Sequence, residues 1–130
     1  MMRSLWILFA LWLGACTPAA DVPAEPVWGK QACAHCSMLV TEPAPAAQLS
    51  RPDGTRLFFD DVGCLASYLD RTGEHAAEHL WVHRDGGWVS ATGARYASGA
   101  HTPMDFGFLP AAEGVSWEAL RQAVRARGAR

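Results

Sequence analysis

The chain has 130 residues and a formal net charge of −2 at neutral pH, from 11 basic and 13 acidic side chains. This length suits one small domain, and the charge balance lacks the basic surface that nucleic-acid binding needs. Half of the residues are hydrophobic, while 12 glycines and 8 prolines indicate a globular domain that is rich in turns.

The first fifteen residues have the composition of a secretory leader. A short basic start precedes the apolar run Leu5–Leu13, which is too short to span a bilayer as a finished helix. The run ends in Leu13-Gly14-Ala15-Cys16, which resembles a bacterial lipobox. We therefore predict a signal peptide over 1–15 and a lipid-modified Cys16 that anchors the protein to a membrane on its periplasmic side. Thr17, in place of Asp after this Cys, favours the outer membrane.

Residues 16–28 have the composition of a linker. They contain Pro18, Pro23 and Pro26 and show no apolar period, so we predict a flexible, semi-extended tether. Packing is expected to begin near Trp28, and the folded domain is assigned to 29–130.

The motif Cys33-Ala34-His35-Cys36-Ser37-Met38 sets two thiols, an imidazole and a thioether within six residues. A Cys-x-x-Cys pair serves as a metal site, a redox disulfide or a structural bridge. Met38 favours a metal site for Cu(I), because this soft cation accepts thioether ligands that zinc does not use. In an extended segment, Cys36 and Met38 would face the same side. Cys33 and His35 are weaker candidates: Cys33 could close a disulfide with Cys36, and His35 could be a solvated loop residue.

The sequence after the motif predicts two β-hairpins and two capped helices, and hence an α+β domain. Turn residues separate the strands of each hairpin, and apolar residues three or four apart define each helix. The predicted elements are strands at 46–50, 56–59, 80–82 and 88–89, a helix from its N-cap Asp61 to Gly73, a short strand around Tyr96, and a helix after its N-cap Ser116. Cys64, at the start of the first helix, is interpreted as a small buried hydrophobe.

Four stretches, in this order, resemble the NosL family of lipoproteins, which are copper-chaperone accessory proteins for nitrous-oxide reductase. They are the lipobox at Cys16, the Cys33-x-x-Cys36-x-Met38 motif, Phe58-Phe59-Asp60-Asp61-Val62-Gly63-Cys64-Leu65, and Ala94-Arg95-Tyr96 followed by Thr102-Pro103-Met104. The resemblance implies an organomercurial-lyase-like α+β fold, a role in denitrification, and Met104 as a further copper ligand. Ser37 and Asp105 stand where the family usually has Gly, which adopts backbone angles that are costly for Ser.

These observations predict a lipid-anchored Cu(I) metallochaperone that hands copper to an exported copper enzyme or a transporter and catalyses no reaction. One alternative is a thioredoxin-like disulfide oxidoreductase that uses Cys33 and Cys36. Such a pair opens a long helix that lowers the thiol pKa, whereas Pro43 and Pro45 would end a helix after Cys36. The other alternative, a structural lipoprotein with a disulfide between these cysteines, leaves the two methionines unexplained.

Overall fold

The computed structural model describes Gly14, residues 22–74 and residues 79–128. Apart from Gly14, the predicted leader lies outside the described residues, as does the predicted lipidation site Cys16. Six short strands and two helices confirm the predicted α+β fold. In chain order they are β1 (Ala47–Ser50), β2 (Arg56–Phe59), α1 (Val62–Thr72), β3 (Leu80–Arg84), β4 (Gly87–Ser90), β5 (Arg95–Ala97), β6 (Leu109–Ala111) and α2 (Trp117–Gly128).

The two predicted hairpins combine into one antiparallel sheet with the strand order β2-β1-β3-β4. Ala47 of β1 lies opposite Phe59 on one side and Val82 on the other, so β1 is a central strand. Asp85 and Gly86 connect β3 to β4 with φ angles of 53° and 80°, as a two-residue hairpin turn requires. The turn chemistry therefore fixed the register of this hairpin.

Helix α1 begins and ends at the predicted caps. The Asp61 side chain accepts a hydrogen bond from the backbone N–H of Gly63, and Gly73 takes the left-handed conformation with its N–H bonded to the carbonyl of Leu69. The helix packs against β1, β2 and α2. Its N-terminus therefore lies at the end of β2, because only Asp60 and Asp61 connect the two elements.

Helix α2 begins after the predicted cap Ser116, whose hydroxyl accepts the N–H of Ala119 at 3.2 Å. Asp70 of α1 receives hydrogen bonds from Arg121 at 2.6 Å and from Arg125 at 2.8 Å, which join the two helices. Among the described residues, no helix is both long enough and apolar enough to cross a membrane.

Strand β6 was not predicted, because Pro110 at its centre argues against a strand. It pairs with β5 in a separate two-stranded sheet, where Pro110 lies opposite Tyr96. In a two-stranded sheet each strand has an unpaired side, so the missing N–H of a proline need not break the ladder. The predicted strand around Tyr96 is confirmed as β5.

The segment 22–28, which the sequence assigns to the tether, packs on the four-stranded sheet. The buried Gln48 side chain donates to the carbonyl of Ala24 at 2.9 Å and accepts its N–H at 3.0 Å. Trp88 donates to Glu25 at 2.8 Å. The hydrogen bonds of the Ala24 backbone and of the Glu25 side chain hold this segment against the sheet. The packed structure therefore starts before the predicted boundary at 29.

Candidate metal centre

The Cys33–Met38 motif forms a tight turn at the open edge of β2. The N–H of Cys33 donates to the carbonyl of Met38 at 2.7 Å, and the N–H of Ser37 donates to the carbonyl of Cys33 at 3.0 Å. Cys33 forms an isolated parallel bridge with Phe58 of β2, and the N–H of Ala34 donates to the Phe58 carbonyl at 2.9 Å. These bonds hold the turn beside the residues that follow β2.

Four potential ligand atoms converge at this place. The sulfur atoms of Cys33, Cys36 and Cys64 and a carboxylate oxygen of Asp60 all lie within 4.8 Å of one another. Three sulfurs bound to one ion at about 2.3 Å in a trigonal site lie about 4.0 Å from one another. Small inward shifts are therefore enough for these side chains to share one metal ion.

Three parts of the fold supply these side chains. The turn at the edge of β2 carries Cys33 and Cys36, while Asp60 directly follows β2 and Cys64 lies in the first turn of α1. The strand-to-helix connection thus places a carboxylate and a thiol four residues apart in sequence on the side that faces the cysteine turn. All three thiols are free in the structure.

Asp60 carries an unsatisfied buried oxygen. Its side chain is almost fully buried, with 1% exposure, and its Oδ1 accepts a hydrogen bond from the thiol of Cys36 at 3.2 Å. Its Oδ2 has no hydrogen-bond partner among the described residues. Burying a carboxylate oxygen without a partner is costly, and a bound cation would remove that cost. Asp60 therefore fits the role of a metal ligand.

The three thiols differ in their tendency to ionise. A hydrogen bond from Cys64 lowers the pKa of Cys33 to about 6, although burial acts in the opposite direction. Burial raises the pKa of Cys36 to about 12, and its contacts with Cys33 and Asp60 add to this rise. The bond to Cys33 and burial raise the pKa of Cys64 far above its usual range. At neutral pH the cluster thus holds one thiolate and two thiols.

The structure brings together some of the predicted ligands. Cys33 and Cys36 belong to the cluster, whereas His35, between them, does not belong to this group of four. Burial and the charge of Arg71 lower the pKa of His35, which keeps its ring neutral, and its buried Nδ1 has no hydrogen-bond partner among the described residues. His35 instead lines a groove with Met104.

The two predicted thioether ligands lie at the protein surface. Met38 is 52% exposed at the end of the cysteine turn, and Met104 is 38% exposed in a loop between β5 and β6. The backbone N–H of Met104 donates to Asp61 at 3.1 Å, which holds this loop against the start of α1. The assignment of both methionines as copper ligands stays a prediction.

Sequence reasoning missed two members of the cluster. Cys64 is buried, as expected, but its sulfur contacts the other thiols, so the interpretation as a simple hydrophobe was incomplete. Asp60 was assigned no role in metal binding. The sequence does contain one indication of their role, because Asp60 and Cys64 both lie at a predicted strand-to-helix junction. Nothing in the sequence, however, showed that the cysteine turn packs against this junction.

No protein-family model matches this chain, and no match was found among curated proteins or solved structures. The resemblance to the NosL family therefore stays a prediction from the motifs. The structural evidence on function is the group of four side chains, Cys33, Cys36, Asp60 and Cys64, which could hold a metal ion.

Proposed function

We propose that this protein is a Cu(I)-binding metallochaperone whose cargo is held by Cys33, Cys36 and Cys64. One observation carries the proposal: three free thiols converge within 4.8 Å beside a buried carboxylate. Thiolates are soft ligands that favour Cu(I) over hard cations such as calcium and magnesium. The outer thioethers of Met38 and Met104 would supply further soft ligands.

Exposure at one side of the cluster supports transfer rather than permanent storage. Cys36 is only half-buried and lies in a turn, whereas Cys33 and Cys64 are buried. An incoming ligand can approach the ion from the side of Cys36 while the two buried sulfurs still hold it. The protein would then release copper by ligand exchange, and no covalent bond of a substrate would be made or broken.

The cellular setting that we propose follows from the sequence. A lipid anchor at Cys16 would hold the domain at the periplasmic side of a membrane, with the outer membrane favoured. The client would be an exported copper enzyme or a transporter, and the NosL resemblance makes nitrous-oxide reductase the leading candidate. These parts of the proposal depend on the lipobox and the motifs alone.

The carboxylate in the cluster favours a second candidate, a structural Zn(II) site. Zinc binds thiolates and carboxylates in closed tetrahedral sites with four protein ligands. Cys33, Cys36, Cys64 and Asp60 would complete such a set without a solvent ligand. In that case the metal would stabilise the fold and would not be handed over.

The disulfide oxidoreductase alternative gains less support from the described residues. Cys33 and Cys36 lie in a turn that returns to pair Ala32 with Leu39, and no helix begins at Cys36. The turn therefore lacks the helix N-terminus that activates the nucleophile of a thioredoxin-like site.

Parallel anaerobic titrations of the reduced protein with Cu(I) and with Zn(II), each against a chelator of known affinity, test the proposal. We expect one Cu(I) per chain, bound tightly enough to compete with the chelator and released on addition of a stronger thiol ligand. Tight Zn(II) binding combined with weak Cu(I) binding would refute the chaperone proposal and favour the structural zinc site.

A further inference from the structure

The three thiols of the cluster can be oxidised as well as metallated, because they are in mutual contact. The sulfur of Cys33 contacts both of the others: it accepts a hydrogen bond from the thiol of Cys64 and one from the backbone N–H of Cys36 at 3.5 Å. All three sulfurs lie within 4.8 Å of one another, and all three thiols are free. A disulfide in this cluster therefore needs a choice between three pairs.

The buried carboxylate of Asp60 distinguishes these pairs. Its Oδ1 accepts a hydrogen bond from the thiol of Cys36 at 3.2 Å, and its Oδ2 has no partner among the described residues. A disulfide that includes Cys36 removes this donor from a carboxylate that is only 1% exposed. Leaving buried acceptor oxygens without a donor is costly. A disulfide between Cys33 and Cys64 keeps the hydrogen bond from Cys36 to Asp60.

The separation of the cysteines along the chain favours the same pair. Cys33 and Cys64 lie on different parts of the fold, far apart in sequence, whereas only Ala34 and His35 separate Cys33 from Cys36. A cross-link that closes a longer loop restricts the unfolded chain more, and so stabilises the folded state more. The bond between Cys33 and Cys64 joins the cysteine turn to the first turn of α1.

We infer that the cluster is a site of oxidative cross-linking, at which Cys33 and Cys64 form a disulfide while Cys36 keeps its thiol. The cross-link itself does not depend on metal binding. Its consequence for copper rests on the proposed function: thiolates are the sulfur ligands of metals, and the oxidised cluster offers one thiol where the reduced cluster offers three. The oxidised protein thus accepts no copper until it is reduced.

Thiol–disulfide exchange with a small disulfide such as oxidised glutathione forms this bond in three steps. Cys36 is half-buried while the other two are buried, so its thiolate attacks the oxidant first and displaces one glutathione thiolate, which takes up a proton. Cys33 then attacks the sulfur of Cys36 and displaces the second glutathione. Finally Cys64 attacks the sulfur of Cys33, and Cys36 leaves with the proton that Cys64 loses. Two protein thiols are oxidised, and one glutathione disulfide is reduced to two thiols.

Disulfide mapping of the full chain tests the inference without any metal. The reduced protein is treated with a chelator, equilibrated with excess oxidised glutathione and alkylated, and trypsin then cleaves after Arg56, which separates Cys64 from the two motif cysteines. Mass spectrometry should find one main product, in which Cys33 is linked to Cys64 and Cys36 carries the alkyl group. A main product with Cys36 in a disulfide, or with all three thiols alkylated, would overturn the inference.

Two variants measure the preference between the pairs. Cys36→Ser keeps a hydroxyl donor for Asp60 and leaves Cys33 and Cys64 to pair, whereas Cys64→Ala leaves only Cys33 and Cys36. In glutathione redox buffers, the disulfide of Cys36→Ser should be favoured over that of Cys64→Ala by roughly tenfold or more in its equilibrium constant. Equal constants, or a more stable disulfide in Cys64→Ala, would contradict the inference.

A Cu(I) competition titration of the oxidised and reduced parent protein separates this inference from the proposed function. The oxidised protein should lose most of its Cu(I) affinity and regain it on reduction. A protein that forms the bond between Cys33 and Cys64 but binds no Cu(I) when reduced would refute the proposed function and leave the cross-linking site standing.

Discussion

The backbone N–H of Met104 donates a hydrogen bond to Oδ2 of Asp61 at 3.1 Å, while Oδ1 of the same buried carboxylate accepts the N–H of Gly63 at 2.9 Å. One side chain thus caps α1 and holds the Met104 loop against it. Asp61 lies between Asp60 and the helix turn that carries Cys64. It is therefore the residue that joins the metal cluster to the predicted thioether ligand.

Replacement of Asp61 by Ala should destabilise the metal-free protein by about 2–3 kcal/mol, because the helix loses its cap and the Met104 N–H loses its partner. Asp61→Asn keeps one acceptor oxygen and should cost less. Urea unfolding of the metal-free protein measures both values. Asp53→Ala is the control, since Asp53 accepts an N–H from Thr55 in an exposed turn, and its loss should be smaller than that of Asp61→Ala.

Two non-glycine residues adopt the left-handed backbone conformation at positions where the NosL family, which the motifs resemble, usually has Gly. Ser37 has a φ of 68° and Asp105 a φ of 55°. Such angles are strained for Ser, whereas Asp tolerates them better. In the sequence, Ser37 and Asp105 were the two positions that differ from the glycines of the NosL motif. The structure shows that the backbone at both positions nevertheless adopts the positive φ that Gly favours.

Ser37→Gly should therefore stabilise the metal-free protein by up to about 1 kcal/mol, and Asp105→Gly should gain less. Thermal or urea unfolding measures the change. Ser98→Gly is the matched control, because Ser98 is exposed without a positive φ and should gain nothing. A gain for Ser98→Gly that equals the gain for Ser37→Gly would show that backbone strain is not the cause.

Cu(I) affinity should rise with pH. The pKa of Cys33 is lowered to about 6, so at pH 7 it is already a thiolate, whereas the raised pKa values of Cys36 and Cys64 keep both protonated. Binding by all three sulfurs must release these two protons. Between pH 7 and pH 8 the apparent association constant should increase with a slope approaching about two protons per ion. A pH-independent affinity, or binding without proton release in a weakly buffered titration, would be inconsistent with three thiolate ligands.

Asp60 provides a test of metal identity. Asp60→Asn keeps the shape of the side chain but removes its charge, which should weaken Zn(II) binding by about tenfold or more and change Cu(I) binding little, because a soft cation gains little from a carboxylate. Competition titrations with both metals measure the two effects. A Cu(I) affinity that falls as much as the Zn(II) affinity would show that the carboxylate is essential to the copper site as well.

Much of the fold could be predicted because local chemistry determined it. The caps Asp61, Gly73 and Ser116 and the Asp-Gly turns specify ends and reversals of the chain through their own backbone and side-chain preferences. Strand β6 could not be predicted, since Pro110 disfavours strands locally and only pairing with β5 makes one.

The metal cluster could be predicted only in part, for a related reason. Cys33 and Cys36 are close in sequence, so their Cys-x-x-Cys spacing indicates a possible metal site. Cys64 and Asp60 join them through long-range packing of the cysteine turn on β2, which no local pattern encodes. The packing of residues 22–28 on the sheet was missed in the same way, because it depends on Gln48 and Trp88 far along the chain.

X-ray absorption at the copper edge, measured on the Cu(I)-loaded protein and on Cys64→Ser, tests most directly whether the three thiols share one ion. Loss of the Cys64 thiol should remove one sulfur ligand from the copper and weaken Cu(I) binding, since a hydroxyl is a poor ligand for a soft cation. Comparison of each methionine variant, Met38→Leu and Met104→Leu, shows in the same way whether a thioether contributes. If Cys64→Ser leaves both the sulfur count and the affinity unchanged, the copper does not bind at the cluster of Cys33, Cys36 and Cys64.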